Sequence, residues 1–292
     1  MIIDVHTHLF PNEIISNREA YFSSEPAFAL LYSSPKSRLV GTDELLSVMD
    51  ANRIDKCVVF GFPWQTPDIW RRHNDFIIEA MEKHSGRLIG LGCFDPFSVE
   101  AGRETERCLN AGLSGIGELA FYQSGIPESA LEHLAPVMEL CRRHGRPVML
   151  HTNEPVGQHY PGKTPHTLAQ IYRLIQRFPE NPVILCHWGG GLFFFSLLKK
   201  GVKETLRNVY FDTAASPFLY ESAVYRIAVD LVGSDKILFG SDYPLLSPKR
   251  YFSEMQQADL TPDERRRICG LNAARLFQVS PSDVDVQGSS VS

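Results

Sequence analysis

A single (β/α)8 barrel, an α/β fold, is the architecture this sequence predicts, and three observations lead there. Short apolar runs alternate with longer amphipathic stretches, eight such runs can be counted, and no Pro- or Ser-rich linker divides them. Parallel strands need long crossovers, usually helical, and eight strand–helix repeats in roughly 250 residues close into a barrel. An open doubly wound sheet is the lesser alternative, because no glycine-rich phosphate loop follows the first strand.

The strand candidates are Ile2–His6, Cys57–Phe62, Leu88–Phe94, Gly115–Leu119, Pro147–His151, Val183–His187, Val209–Asp212 and Ile237–Phe239. Between them lie Thr42–Asn52, Arg71–His84, Val99–Ala111, Ser129–His144, Thr167–Phe178 and Tyr220–Val232, whose apolar residues recur at helical spacing, as Leu131, Leu134, Val137, Met138 and Cys141 do. Thr42 before Asp43-Glu44 reads as an N-cap, and His144-Gly145 before Arg146-Pro147 as a helix end. Two long irregular segments, Leu9–Gly41 and Thr152–His166, follow strands one and five. On a barrel both belong to the C-terminal face, where substrate loops lie. The barrel is assigned to residues 1–279, and 280–292 read as a polar, mobile tail.

The 292 residues are 43% hydrophobic and 22% charged, with net charge −5. That composition is globular, and no basic field points to nucleic acid as a partner. No stretch reaches the length of a membrane span. Six scattered cysteines without CxxC spacing suit reduced thiols. With no signal-peptide pattern, the cytoplasm is the expected location. Homo-oligomerisation is left open.

The chemistry lies at the strand ends. His6 and His8, two apart, project from one side of strand one. Strand four ends at Glu118, strand five at His151, strand six at His187, and Asp242 follows strand eight. Any one of these is unremarkable alone; five in register are not. An apolar strand that ends in a charge must bury it, pair it or bind a cation with it. Four imidazoles and two carboxylates converging at one barrel mouth call for a divalent metal. Zn²⁺ suits that donor set best, with Mn²⁺ or Fe²⁺ as competitors. Trp64, after strand two, and His159, Tyr160 and Lys163, in the second long loop, are the candidate substrate contacts. Arg18 and Arg38 in the first loop are weaker ones.

The chain resembles the amidohydrolase superfamily, within it the amidohydrolase-related branch that contains aminocarboxymuconate-semialdehyde decarboxylase. The resemblance rests on Asp4-Val5-His6-Thr7-His8, Leu150-His151, Cys186-His187-Trp188-Gly189-Gly190-Gly191 and Phe239-Gly240-Ser241-Asp242-Tyr243-Pro244. It implies that His6, His8, His151 and Asp242 bind metal, and that His187 ligates a second ion or acts on substrate. Many two-metal members carry a lysine on strand four; this chain has Glu118, which leaves one ion, or two bridged by Glu118.

The function expected on these grounds is hydrolysis of a small amide, ester or lactone by a metal-activated water, with Asp242 as base and His187 polarising or protonating the substrate. The alternative is metal-dependent, non-oxidative decarboxylation or hydration of a small carboxylic acid. A phosphoesterase or nuclease is the further alternative, disfavoured by the lack of a basic surface.

Overall fold

Each apolar run forms a strand: β1 Ile3–His8, β2 Lys56–Phe60, β3 Leu88–Gly90, β4 Ile116–Leu119, β5 Val148–Leu150, β6 Val183–Leu185, β7 Val209–Asp212 and β8 Ile237–Leu238. The structure, a computed structural model, describes residues 1–279, so the expected tail over 280–292 lies outside the described residues. Neighbouring strands pair in parallel in two runs, β1 to β3 and β4 to β8. Backbone hydrogen bonds close both seams. Gly92 N donates to Gly115 O (3.0 Å) and Gly117 N to Gly92 O (2.8 Å) between β3 and β4. Val5 N donates to Phe239 O (2.8 Å) and His8 N to Tyr243 O (2.9 Å) between β8 and β1.

Two buried clusters follow from strand alternation. Ile3, Val5, Val58, Phe60, Ile89, Leu91, Met149, Ile184, Cys186 and Leu238 fill the barrel interior. Cys57, Val59, Ile116, Leu119, Val148 and Leu150 face outward and pack with helix residues such as Leu45, Met49, Ile77 and Leu134.

Two irregularities in this alternation aim the polar residues. On β1, Asp4 pairs with Cys57 and Thr7 with Val59, three residues against two. The extra residue lets Val5 and His6 both face inward, so His6 and His8 reach the interior although strict alternation would put them with outward-facing Asp4. On β4, Ile116 pairs with Val148 and Leu119 with Leu150, again three against two. Ile116 and Leu119 both stay outward, and Glu118 turns in. Bulges commonly re-aim side chains beside active sites.

Helices cover the strands largely where the pattern placed them, at Thr42–Asn52, Pro67–Lys83, Ala101–Asn110, Glu128–His144, Leu168–Arg177 and Ala223–Val232. Gly145 ends its helix in the left-handed conformation (φ 61°). Two readings are corrected. Thr42 is the first helical residue, and Gly41 occupies the cap position without a side-chain bond. The Leu9–Gly41 segment, expected to be irregular, folds into the short helices Asn12–Ser16, Arg18–Tyr21 and Pro26–Tyr32, because Ile14, Ala27 and Phe28 bury themselves against the barrel. The six cysteines are free and buried. Among the described residues no helix is long and apolar enough to cross a membrane.

The first loop is pinned by His73. Trp64 Nε1 donates to His73 Nδ1 (2.9 Å), so Nε2 carries the imidazole hydrogen and donates to Leu9 O (2.7 Å). Burial pushes His73 down to about 4. A histidine held neutral in the fold keeps its full contribution above the unfolded value near 6.5 and loses it as pH falls through about 4. Urea unfolding of metal-free protein from pH 7 to 4 should therefore show falling stability. His73→Leu should be less stable at pH 7 but remove on the order of 3 kcal/mol of that acid-dependent loss. An unchanged pH slope would contradict this role.

Candidate metal centre

The barrel mouth gathers the strand-end residues. His6 and His8 arrive through the β1 bulge and pack edge-on to Phe60, with ring centroids 5.2 and 4.9 Å away. Glu118 arrives through the β4 bulge, and His151 directly follows β5. His187 and Asp242 both adopt left-handed backbone, φ 54° and 57°. Such conformations cost a non-glycine residue about 1–2 kcal/mol and concentrate at functional sites. Asp242 is held there by its N–H donating to His6 O (2.9 Å). After His187, Trp188 and Gly189 to Gly191 continue left-handed. A Cβ on Gly190 would lie 2.2 Å from Asn153 O, so this turn presses against the loop after β5.

The side chains converge closely. His8 Nε2 lies 3.3 Å from Asp242 Oδ1 and 3.8 Å from Glu118 Oε2; His6 Nε2 lies 3.5 and 3.7 Å from the same two atoms. Glu118 Oε1 is 2.9 Å from His151 Nδ1 and 3.5 Å from His187 Nε2. The other ring nitrogens are held by the scaffold: His6 Nδ1 by Asp212 Oδ2 (2.9 Å), His187 Nδ1 by Ala214 O (3.1 Å), His151 Nε2 by Gly162 O (2.9 Å) and His8 Nδ1 by Gly61 O (3.4 Å). One nitrogen anchored and the other facing the centre is the usual arrangement of metal-binding histidines.

The electrostatics lead the same way. Burial opposes a charge on His6, but Glu118, Asp212 and Asp242 together outweigh it and push His6 up to about 10. Burial likewise opposes charge on Glu118 and Asp242, yet the surrounding imidazoles, His6 foremost, hold both below the usual carboxylate range. His187 is raised against the effect of burial by Glu118 and Asp242. The centre thus demands positive charge, which protons or a divalent cation can supply. His6 Nε2 decides the fit: it is buried, faces this centre and has no hydrogen-bond partner. Among the described residues four sets could hold an ion, each with ligand atoms within 4.8 Å of one another; His6–His8–Glu118, His6–His187–Asp242 and Glu118–His151–His187 meet at this centre, and His6–Cys186–Asp212 lies on the other side of the His6 ring. Mixed imidazole and carboxylate donors suit Zn²⁺ or Mn²⁺.

The residues expected to contact substrate stand outside this ring of side chains, with Tyr160 and Lys163 on the loop whose Gly162 carbonyl meets His151. Trp64 is fully buried in an aromatic cluster with Tyr21, Phe28 and Phe62. His159 is exposed. Tyr160 Oη donates to Glu154 Oε2 (2.9 Å), and Lys163 Nζ donates to Glu154 Oε1, Val156 O and Gln158 O. Arg18 is bonded to Ser37 O, and Arg38 to Glu44 and Tyr243.

Sequence reasoning passed over Asp212, which holds His6 Nδ1 and also accepts from His187 N (2.8 Å) and Ala214 N (3.0 Å). Its signal was visible, since strand seven also ends in an acid. Asp4, at the head of the His6-Thr7-His8 motif, accepts from His6 N (3.1 Å) and Ser241 N (2.9 Å), and burial pushes it up to about 7. Tyr122 forms a wall of the site, stacked on Phe62 and tilted over His151, both at 6.1 Å.

Fold and site together define a (β/α)8 enzyme with a centre suited to a divalent metal. The chain belongs to the amidohydrolase family, whose model matches residues 3–279, and lies in the branch that contains aminocarboxymuconate-semialdehyde decarboxylase. It is 24% identical to 2-amino-3-carboxymuconate-6-semialdehyde decarboxylase of Dictyostelium discoideum, over 96% of this chain and 92% of that one. It is 23% identical to gamma-resorcylate decarboxylase of Polaromonas sp., over 72% and 76%. A solved structure of 5-carboxyvanillate decarboxylase from Novosphingobium aromaticivorans, complexed with manganese and 4-hydroxy-3-methoxy-5-nitrobenzoic acid, superposes with a TM-score of 0.77 at 19% identity, covering 96% of each chain.

Proposed function

We propose that this chain is a metal-dependent, non-oxidative decarboxylase of a small aromatic or conjugated carboxylic acid. The observation that carries the metal dependence is the buried, unpartnered Nε2 of His6 beside two carboxylates. Decarboxylation is preferred to the hydrolysis expected from the sequence because the curated relatives matched along most of the chain are named decarboxylases.

His6, His8 and Asp242, with His151, would hold the ion in this reading, and Glu118 would help hold a second ion or balance the charge of one. When bound, a divalent ion supplies Lewis-acid polarisation of the substrate's oxygen atoms. Manganese is the first metal to try, since the matched barrel structure contains it; zinc remains the competitor. The Ala214 carbonyl fixes the His187 ring so that Nε2 faces the centre, where Glu118 and Asp242 favour its protonated form. As the bond to the carboxyl carbon breaks, CO2 leaves and the electron pair stays on the substrate carbon. The His187 Nε2 proton then forms the new C–H bond, and solvent reprotonates the imidazole. No water is consumed. The Phe62–Tyr122 stack gives the pocket a flat apolar wall suited to a planar substrate.

The test is a panel of hydroxybenzoates and conjugated dicarboxylic acids, set against esters, lactones and amides, with the Mn²⁺-loaded protein. The expected result is CO2 release with one solvent deuteron gained by the product in D2O. Turnover of a lactone or ester without CO2 release would return the reading to hydrolysis.

A further inference from the structure

The loop after β5 is braced by bonds within itself, and its Gly162 carbonyl meets the barrel mouth. At its base, Thr164 N and Oγ1 both donate to Asn153 Oδ1, at 2.8 and 2.7 Å. At its tip, Lys163 N donates to Tyr160 O (3.0 Å), forming a turn around Pro161-Gly162. The side chains flanking that turn grip one carboxylate: Tyr160 Oη takes Glu154 Oε2 at 2.9 Å, and Lys163 Nζ takes Oε1 at 3.0 Å. Lys163 spends its other two donors on Val156 O (2.8 Å) and Gln158 O (3.3 Å), which uses all three. Lys163 and Glu154 are largely shielded, at 14% and 17% side-chain exposure, unlike a fully solvated surface pair.

The Gly162 carbonyl, held between the two gripping residues, accepts from His151 Nε2 at 2.9 Å. That bond fixes the hydrogen on Nε2 and leaves Nδ1, the nitrogen facing Glu118, as the metal-binding lone pair. We infer that Glu154, Tyr160 and Lys163 are positioning residues whose brace seats the Gly162 carbonyl on His151 and so sets how tightly the centre binds its divalent cation. This rests on the proposal that His151 is a ligand, but not on which reaction the centre performs.

The experiment needs no substrate. Binding of Mn²⁺ is titrated by the electron paramagnetic resonance of the free ion, on the full chain stripped of metal, for wild type, Lys163→Met, Glu154→Gln and Lys163→Arg. Partners that orient a metal-binding histidine typically change metal affinity by about 10–100-fold when lost. Lys163→Met should therefore weaken Mn²⁺ binding by about tenfold with circular dichroism unchanged. Glu154→Gln, which keeps the shape and loses the charge, should weaken it less. Lys163→Arg, which can still reach Glu154 and a carbonyl, should recover most of the affinity. Wild-type affinity in Lys163→Met overturns the inference. An equal loss in the Arg and Met variants also overturns it, because that marks general damage to the loop. If Lys163→Met does not fold, Glu154→Gln decides alone: unchanged affinity there refutes the brace. A failure to release CO2 from any acid would leave these affinities untouched, so the two proposals fail separately.

Discussion

The double variant His6→Ala/His8→Ala is expected to keep its fold, lose stoichiometric Mn²⁺, and lose decarboxylation by on the order of 10³-fold or more. Polarisation by a bound metal is worth several kcal/mol to a transition state, and every ~1.4 kcal/mol is tenfold in rate. The fold should survive because both imidazoles sit at the C-terminal end of β1, past Ile3 and Val5, which carry the packing of that strand in the barrel interior. Metal analysis together with circular dichroism checks both halves. Full metal content in the double variant would remove these histidines from the ligand set.

Asp212→Ala should be the most damaging change outside the ligands themselves. The side chain is fully buried and serves three donors at once, His6 Nδ1 and the backbone N–H groups of His187 and Ala214. Removing one partner from a buried charged network typically costs about 3–5 kcal/mol, because the remaining groups stay buried and unpaired. The same loss frees the His6 ring, so Mn²⁺ affinity should fall about 10–100-fold. Asp212→Asn can still accept from the backbone donors. It should recover much of the stability but not the affinity. Urea unfolding in chelator separates the first quantity, and metal titration the second. Wild-type stability in the alanine variant would show that the network is not needed for the fold.

The strand ends were legible because a buried apolar run that stops at a histidine or acid leaves a periodic trace, and eight repeats gave the barrel itself. The two bulges were not. Alternation counted from Ile3 and Val5 places Thr7 inward and His6 outward; only the pairing with β2 shows the extra residue. On β4 a trace did exist, since outward-facing Ile116 and Leu119 are three apart, but a four-residue strand is too short to argue from. Asp212 was overlooked because it was read as the end of a strand and not as a partner for strand one. That partnership joins residues 206 apart in sequence. Tyr160 and Lys163 carry bonds the sequence does not display. Polar residues in a substrate-facing loop read as handles, and the bonds they make within the loop leave no trace in the pattern. Trp64 looked like a loop aromatic, but the helices of the first long segment cover it.

The centre straddles the seam where β8 meets β1. Asp4 and Ser241, 237 residues apart, are bonded there, and Asp242 N reaches back to His6 O. The order of synthesis therefore matters. His6 and His8 are made 236 and 234 residues before Asp242, which follows the strand that seats it. At about 5–20 residues per second, that is a wait on the order of tens of seconds. Throughout it, β1 has an open edge and two imidazoles that lack their carboxylates. Cation capture by the complete ligand set thus waits until β8 has been made, and a fragment stopping before β8 would carry the histidines without the means to hold an ion firmly.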